Sequence, residues 1–577
     1  MIYRLEHPNP QWERETWRNL NGKWEFDFDF GKSARDRELY KKNEKLSMEI
    51  NVPFCPESKL SGIEYRDFIP GVCYRKVIEL TEDEVSNKVF LHFGAVDYKC
   101  FIYVNGKEAG KHIGGYSSFS FDITEYVNIG ENTIFVIAED DPRSGEQPIG
   151  KQSRLYYSHD CDYSRTTGIW QTVWLEFVPR QYIEKCKYFP DIDNAIVTIQ
   201  GKVCGCGQLT AKAFFEGKNV GKNSITVNDG DFVMQIALSE LHLWEVGKGA
   251  LYDLELSFGD DKVKSYFGMR TARLKGKYFE LNGKKVFHRT VLDQGFYPDG
   301  IYTAQSDEEL KRDIEISMAA GFNGARLHQK VFEKRFLYHC DKVGYIVWGE
   351  HANWGMDYRN PIAVENFICE WTEIIERDFN NPSIIGWCPF NETWEYWEFR
   401  EKHRVIESVY KVTKQIDDTR PCIAVSGHYH IGNMEIHDVH DYRATAEEFK
   451  ENYAHIEDKG IVNDGIRRAE GDIQPYKKGT PVFISEYGGF KCVEENDDGW
   501  GYGESIRTKD DFIDTYDKFT TSMIDNPSIM GFCYTQLYDV EQEQNGLYTF
   551  DRKPKFDMKK IKEINSKTAK CELIDGE

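Results

Sequence analysis

Ser383-Ile-Ile-Gly-Trp-Cys-Pro-Phe-Asn391-Glu392 and Pro481-Val-Phe-Ile-Ser-Glu486-Tyr-Gly-Gly are short apolar runs, each breaking off at a glutamate. Runs of this length without alternation fit strands buried on both faces of a parallel sheet. Comparable runs recur on either side of these two, near 285–291, 322–328, 344–350, 421–426, 435–441 and 529–536, the sixth of the eight (435–441) being the weakest. Helical stretches over 307–320, 332–342, 365–379, 402–416 and 509–525 separate them. Alternating strands and helices predict a (β/α)8 TIM barrel over residues 274–577.

Upstream the rhythm is all β. Residues 1–178 carry short strands such as Lys88-Val-Phe-Leu-His-Phe and Cys100-Phe-Ile-Tyr-Val, the latter closed by the hairpin pair Asn105-Gly106. Regular turns between short strands imply a jelly-roll sandwich. Residues 179–273 repeat the pattern on a smaller scale, with strict alternation in Tyr252-Asp-Leu-Glu-Leu-Ser-Phe, and fit an immunoglobulin-like sandwich. The expected architecture is two β-sandwiches followed by a C-terminal barrel.

A TIM barrel carries its active site at the C-terminal ends of its strands. Glu392 closes the fourth expected strand and Glu486 the seventh, so two carboxylates face one pocket from opposite sides of the mouth. Such a pair suits cleavage of a glycosidic bond, in which one carboxyl protonates the leaving oxygen and the other attacks carbon or activates water. Salt bridges at a barrel rim are the plain alternative for either glutamate alone.

Asn391-Glu392-Thr-Trp, after Asn381-Pro-Ser-Ile-Ile-Gly-Trp, resembles the acid/base motif of glycoside hydrolase family 2, and Val482-Phe-Ile-Ser-Glu486-Tyr-Gly-Gly its nucleophile motif. Thr167-Gly-Ile-Trp-Gln-Thr-Val-Trp-Leu-Glu is similar to the end of that family's first domain, and the domain order matches. The resemblance implies a retaining mechanism with Glu486 as nucleophile and Glu392 as acid/base. It implies that Asn391 binds the sugar 2-hydroxyl, that Tyr442 bonds the nucleophile, and that Arg326 and His328 lie near both. Glu350 after the third strand and Asp293 after the first are expected pocket walls. Trp394, Trp500 and Tyr534, with Trp354 and Trp397, are candidates for a sugar-stacking platform. The acidic, glycine-rich stretch 494–503 reads as a mobile loop or a solvated excursion.

The acidic balance, net charge −23, argues against nucleic acid or an anionic membrane as partner. Fourteen cysteines without a spacing framework read as free thiols. With no visible signal peptide, the expected location is cytoplasmic. His428, His430 and His437 lack a His-Glu-x-x-His pattern, and the metal-binding run of some family β-galactosidases is not reproduced in Glu350-His-Ala-Asn-Trp-Gly-Met. No metal and no other cofactor is therefore expected. The Asn-x-Lys signature by which family β-glucuronidases read the sugar carboxylate is missing before Asp551-Arg-Lys-Pro-Lys555. Domain-order analogy then favours a β-galactoside, with glucuronide, mannoside, galacturonide or arabinopyranoside as alternatives. Partners are small β-glycosides or oligosaccharide ends, and the β domains offer surfaces for a homo-oligomer. A carbohydrate-binding protein without catalysis is the competing class, disfavoured because binding alone would not demand both carboxylates.

Overall fold

The computed structural model describes residues 2–42, 44–393, 400–427, 431, 434–461, 476–492 and 499–573, without the side chains of 400–403, 459 and 503–505. Its first sandwich packs a six-stranded sheet on a four-stranded one. The inward residues of both, among them Trp24, Tyr74, Leu91, Val136 and Leu175, form one apolar core. Asn105 and Gly106 take positive φ of 50° and 75°, and the strands Lys99–Val104 and Lys107–Ile113 pair across them. The second sandwich runs from Tyr182 to Gly268 in sheets of three and four strands over its own core. The N-terminal segment crosses between domains: Glu13 bridges to Lys264 of the second sandwich, and Arg4 pairs with Glu333 of the barrel.

The barrel strands are His288–Asp293, Gly324–Leu327, Ile346–Glu350, Ile384–Cys388, His437–Asp441, Val482–Gly488 and Ile529–Thr535, all parallel. The fifth expected strand, 421–426, is not a regular strand. Among the described residues it meets the fourth strand at the isolated bridges Trp387–Cys422 and Asn391–Ser426. The sixth, weakest in the sequence, is fully formed. Across the seam between them the links include side-chain bonds, Gly427 N–H to Asp438 and Ser426 Oγ to His440 Nε2. Trp348, Phe483 and His288 fill the interior, so the barrel is a packed core rather than a pore.

The helix expected from 365 begins at Pro361. The side chain of Asn360 caps it by accepting the Ile362 N–H, and proline at the first position costs no hydrogen bond there. All fourteen cysteines are free. Among the described residues no helix is long and apolar enough to cross a membrane.

Candidate active site

Arg326 is the hub. Odd and even residues of a barrel strand point to opposite sides, and Arg326 of the second strand points inward, fully buried. Its Nη1 donates to Glu486 Oε1 at 3.1 Å and to the Ser485 carbonyl at 2.8 Å. Nη2 donates to Glu350 Oε2 at 2.8 Å and to Asn391 Oδ1 at 3.0 Å. One guanidinium therefore joins the ends of the second, third, fourth and seventh strands, as five N–H donors in a planar fork allow.

Glu350 also accepts the Gln329 N–H at 3.0 Å and lies 3.0 Å from His328 Nδ1. Burial would raise its carboxyl, but the charge of Arg326 and the pairing with His328 bring it down to about 2. Burial drives His328 itself below the usual imidazole value, against the opposing pull of Glu350. Glu350 thus carries charge into the site but faces Arg326 rather than open space.

Glu392 and Glu486 hold carboxylate oxygens within 4.8 Å of each other and of His440 Nδ1. Burial pushes Glu486 up; His440, His328 and Arg326 outweigh it, against the opposing charge of Glu392, and hold it below the usual carboxylate range. Tyr442 donates to Glu486 Oε2 at 2.5 Å and shares a 3.0 Å bond with Thr535. Glu392 is half-buried at φ 38°, in the left-handed region that non-glycine residues rarely adopt, and its N–H bonds Ser426 O at 2.9 Å. Asn391 is locked through its main chain: Asn353 accepts its N–H at 2.8 Å, and Asn353 Nδ2 and Trp354 Nε1 donate to its carbonyl. Its buried Nδ2 meets no acceptor among the described residues.

Two expected residues lie elsewhere. Tyr534 is not at the mouth: it is fully buried, edge-on to Tyr487 and to Tyr516 of the outer helix Lys509–Ile524. Alternation explains this, since its neighbour Thr535 turns inward to Tyr442. Asp293 bonds Tyr538 at 2.6 Å and the Gly295 N–H, fixing the exit of the first strand. Trp394, Trp397, His428 and His430 lie outside the described residues. Trp500 is half-buried and bridges to Glu543 by main-chain bonds with Gln542 and Gln544, so this end of the 494–503 stretch is fastened. Its ring meets Tyr502 edge-on at 4.7 Å, and Tyr502 stacks on Tyr442 at 3.9 Å.

The first sandwich supplies residues that local sequence pattern did not reveal. Beside Glu392, a cavity of ≈ 270 Å³ is walled by Ile149, Arg154 and Asp162 from that sandwich and by Asn353, Trp354 and Thr393 from the barrel. Gly150 packs so closely that a Cβ there would stand 2.3 Å from the Gln329 carbonyl. Next to it Lys151, almost wholly buried, sets its ammonium 4.1 Å above the Trp354 ring. Burial would lower that ammonium, but the nearby charges of Cys161, Glu543, Asp162 and Glu392 hold it above the usual lysine value.

Models of known families match most of the chain: "Glycosyl hydrolases family 2, sugar binding domain" over residues 17–179 and "Glycosyl hydrolases family 2, TIM barrel domain" over residues 272–569. A Formosa agariphila protein, named only provisionally as a β-glucuronidase, is 27% identical over 412 residues, covering 66% of this chain and 46% of its own length. A β-galactosidase of Thermoanaerobacter pseudethanolicus is 26% identical over 372 residues, covering 60% of this chain and 47% of its own. The chain thus matches about half the length of these curated relatives. The solved β-glucuronidase of an uncultured Clostridium superposes with a TM-score of 0.79 at 20% identity, covering 96% of this chain and 98% of that one. At that identity the likeness concerns the fold.

Proposed function

The chain belongs to glycosyl hydrolase family 2, and from that premise we propose that it is a retaining, exo-acting β-glycosidase. The observation that carries the reading is the carboxylate pair. One oxygen of each within 4.8 Å of the other fits the close pair of a retaining enzyme, with carboxyls about 5–5.5 Å apart, better than the wider pair of an inverting one at about 6.5–9.5 Å. Glu486, held ionised, attacks the anomeric carbon while Glu392 protonates the leaving oxygen; the glycosyl ester on Glu486 then yields to a water deprotonated by Glu392. Tyr442 orients the nucleophile. Asn391 Nδ2 is positioned to donate to the sugar 2-hydroxyl, a contact that strengthens as positive charge develops on the ring.

For the sugar we favour a β-galactoside, on the shared domain order and the names of several relatives. One observation favours a second reading, a β-uronide: Lys151 brings a buried ammonium to the site, on the face of Trp354 beside the cavity next to Glu392. Nitrophenol release from a panel of neutral and acidic β-glycosides, with Glu486→Gln alongside, tests both. Turnover of one sugar, lost by several orders of magnitude in the variant, is expected. Silence on every β-glycoside, or turnover surviving Glu486→Gln, would contradict the reading.

A further inference from the structure

The two-carboxylate mechanism leaves one buried titratable group at its centre unused. His440 Nδ1 stands 2.6 Å from Glu392 Oε1 and 3.3 Å from Glu486 Oε2. The hydrogen-bond chain at the opposite nitrogen favours a proton on Nε2. Ser485 Oγ donates to the Val439 carbonyl and Ser426 Oγ donates to Ser485, which leaves Ser426 to accept from His440 Nε2–H at 2.9 Å. With Nε2 already a donor, a second proton on Nδ1 lets the ring donate to whichever of Glu392 and Glu486 carries the negative charge. Gly427 presses on the same ring: a Cβ at that position would lie 2.5 Å from Nδ1.

We propose that His440 is a positioning residue that stays protonated throughout the cycle, a cationic bridge serving the acid/base and the nucleophile in turn. The inference rests on the retaining-glycosidase reading above. In the first half-reaction Glu392 gives its proton to the glycosidic oxygen as C1–O breaks, and that bond's electron pair stays on the oxygen. Glu486 supplies the pair for the new ester bond and loses its charge, while Glu392 becomes a carboxylate. In the second half-reaction water gives a proton to Glu392 and attacks C1, and Glu486 leaves as a carboxylate. One negative charge therefore persists and alternates between two oxygens that face the same N–H. A fixed cation between them compensates it in both states without reorganising.

The charged groups acting on His440 among the described residues are Glu486 on the seventh strand, Glu392 beyond the fourth, Arg326 on the second and Asp438 on its own strand, and Tyr442 shares Glu486 Oε2 with it. Burial would lower the imidazole; Glu486 and Glu392 outweigh it, against Arg326, and hold it above the usual histidine value.

His440→Asn tests the bridge. Removing a cation disfavours both carboxylates, so both limbs of the kcat/KM profile are expected to move to higher pH. An aryl glycoside with a poor leaving group, which needs proton donation, should lose roughly 10²-fold in rate, and its dinitrophenyl counterpart far less. A folded variant whose limbs superimpose on those of the wild type, with equal losses on both substrates, would overturn the proposal. Nitrogen-15 NMR of histidine-labelled wild type decides the matter if the variant does not fold. The imidazole whose signal responds to both Glu392→Gln and Glu486→Gln, unlike His328 beside Glu486, should be doubly protonated at neutral pH and titrate lower in the Glu486 variant; a neutral ring at that site refutes the bridge. Inactivity of the wild type on every β-glycoside would instead defeat the functional reading, and the NMR result would be read separately.

Discussion

At the scale of single residues, the site is an exercise in keeping buried charge balanced. Tyr442→Phe removes a hydrogen bond to an ionised carboxylate, worth about 1.5–3 kcal/mol. That corresponds to a loss of roughly 10–100-fold in kcat/KM. Because Glu486 must be ionised to attack, the acidic limb should move to higher pH, which a pH–rate profile would show. Glu350 makes a second prediction, on stability. Its folded value of about 2 lies below the unfolded carboxylate value of roughly 4.3, so the stability it contributes is full above that value. The contribution is lost as pH falls through the window towards 2. Urea unfolding at pH 7 and pH 3 should therefore show a smaller acid loss in Glu350→Gln than in wild type, if that variant folds.

At the scale of elements, the lesson lies at the fifth and sixth barrel positions. The segment 421–426 has the apolar pattern of a strand, and composition cannot show that its partner presents Asp438 and His440 where ladder bonds would form. Glu392 and Glu486 were legible because a barrel strand ends where its apolar run ends. Tyr534 was misplaced because nearness to the mouth was weighed above the alternation that turns it outward. His440 appeared only as a neighbour of Tyr442, since its role depends on two carboxylates 48 and 46 residues away. Gly427 belongs to the same seam. It has φ 72° and faces the imidazole, so Gly427→Ala meets both backbone strain and a clash. Activity should fall more than thermal stability does; loss of melting temperature alone, with kcat unchanged, would count against the seam as part of the site.

At the scale of the molecule, the first sandwich completes the barrel's site rather than merely flanking it. Gly150, Lys151 and the turn at Asp162 close one wall beside Glu392, and Tyr163 bonds the barrel residue Glu543. These contacts join residues hundreds of positions apart, which local periodicity cannot reveal. Arg14 fastens the two sandwiches to each other, donating to Asp261 at 2.8 Å, to Glu176 at 3.3 Å and to the Ile183 carbonyl at 2.7 Å. Arg14→Ala takes the guanidinium from two buried carboxylates, leaving Asp261 the Ile183 N–H and Glu176 the His92 ring, and should cost about 3 kcal/mol, read by denaturant unfolding. On the uronide reading, Lys151→Met should raise KM for an acidic glycoside and leave a neutral one little changed. On the galactoside reading no such split is expected.

The most direct measurement of the central claim follows the anomer first released from a turned-over β-glycoside by proton NMR. Double displacement through Glu486 requires the β-anomer to appear first and the α-anomer only as mutarotation proceeds. Initial release of the α-anomer would mean direct attack by water, and the pairing of Glu392 with Glu486 as acid/base and nucleophile would be wrong.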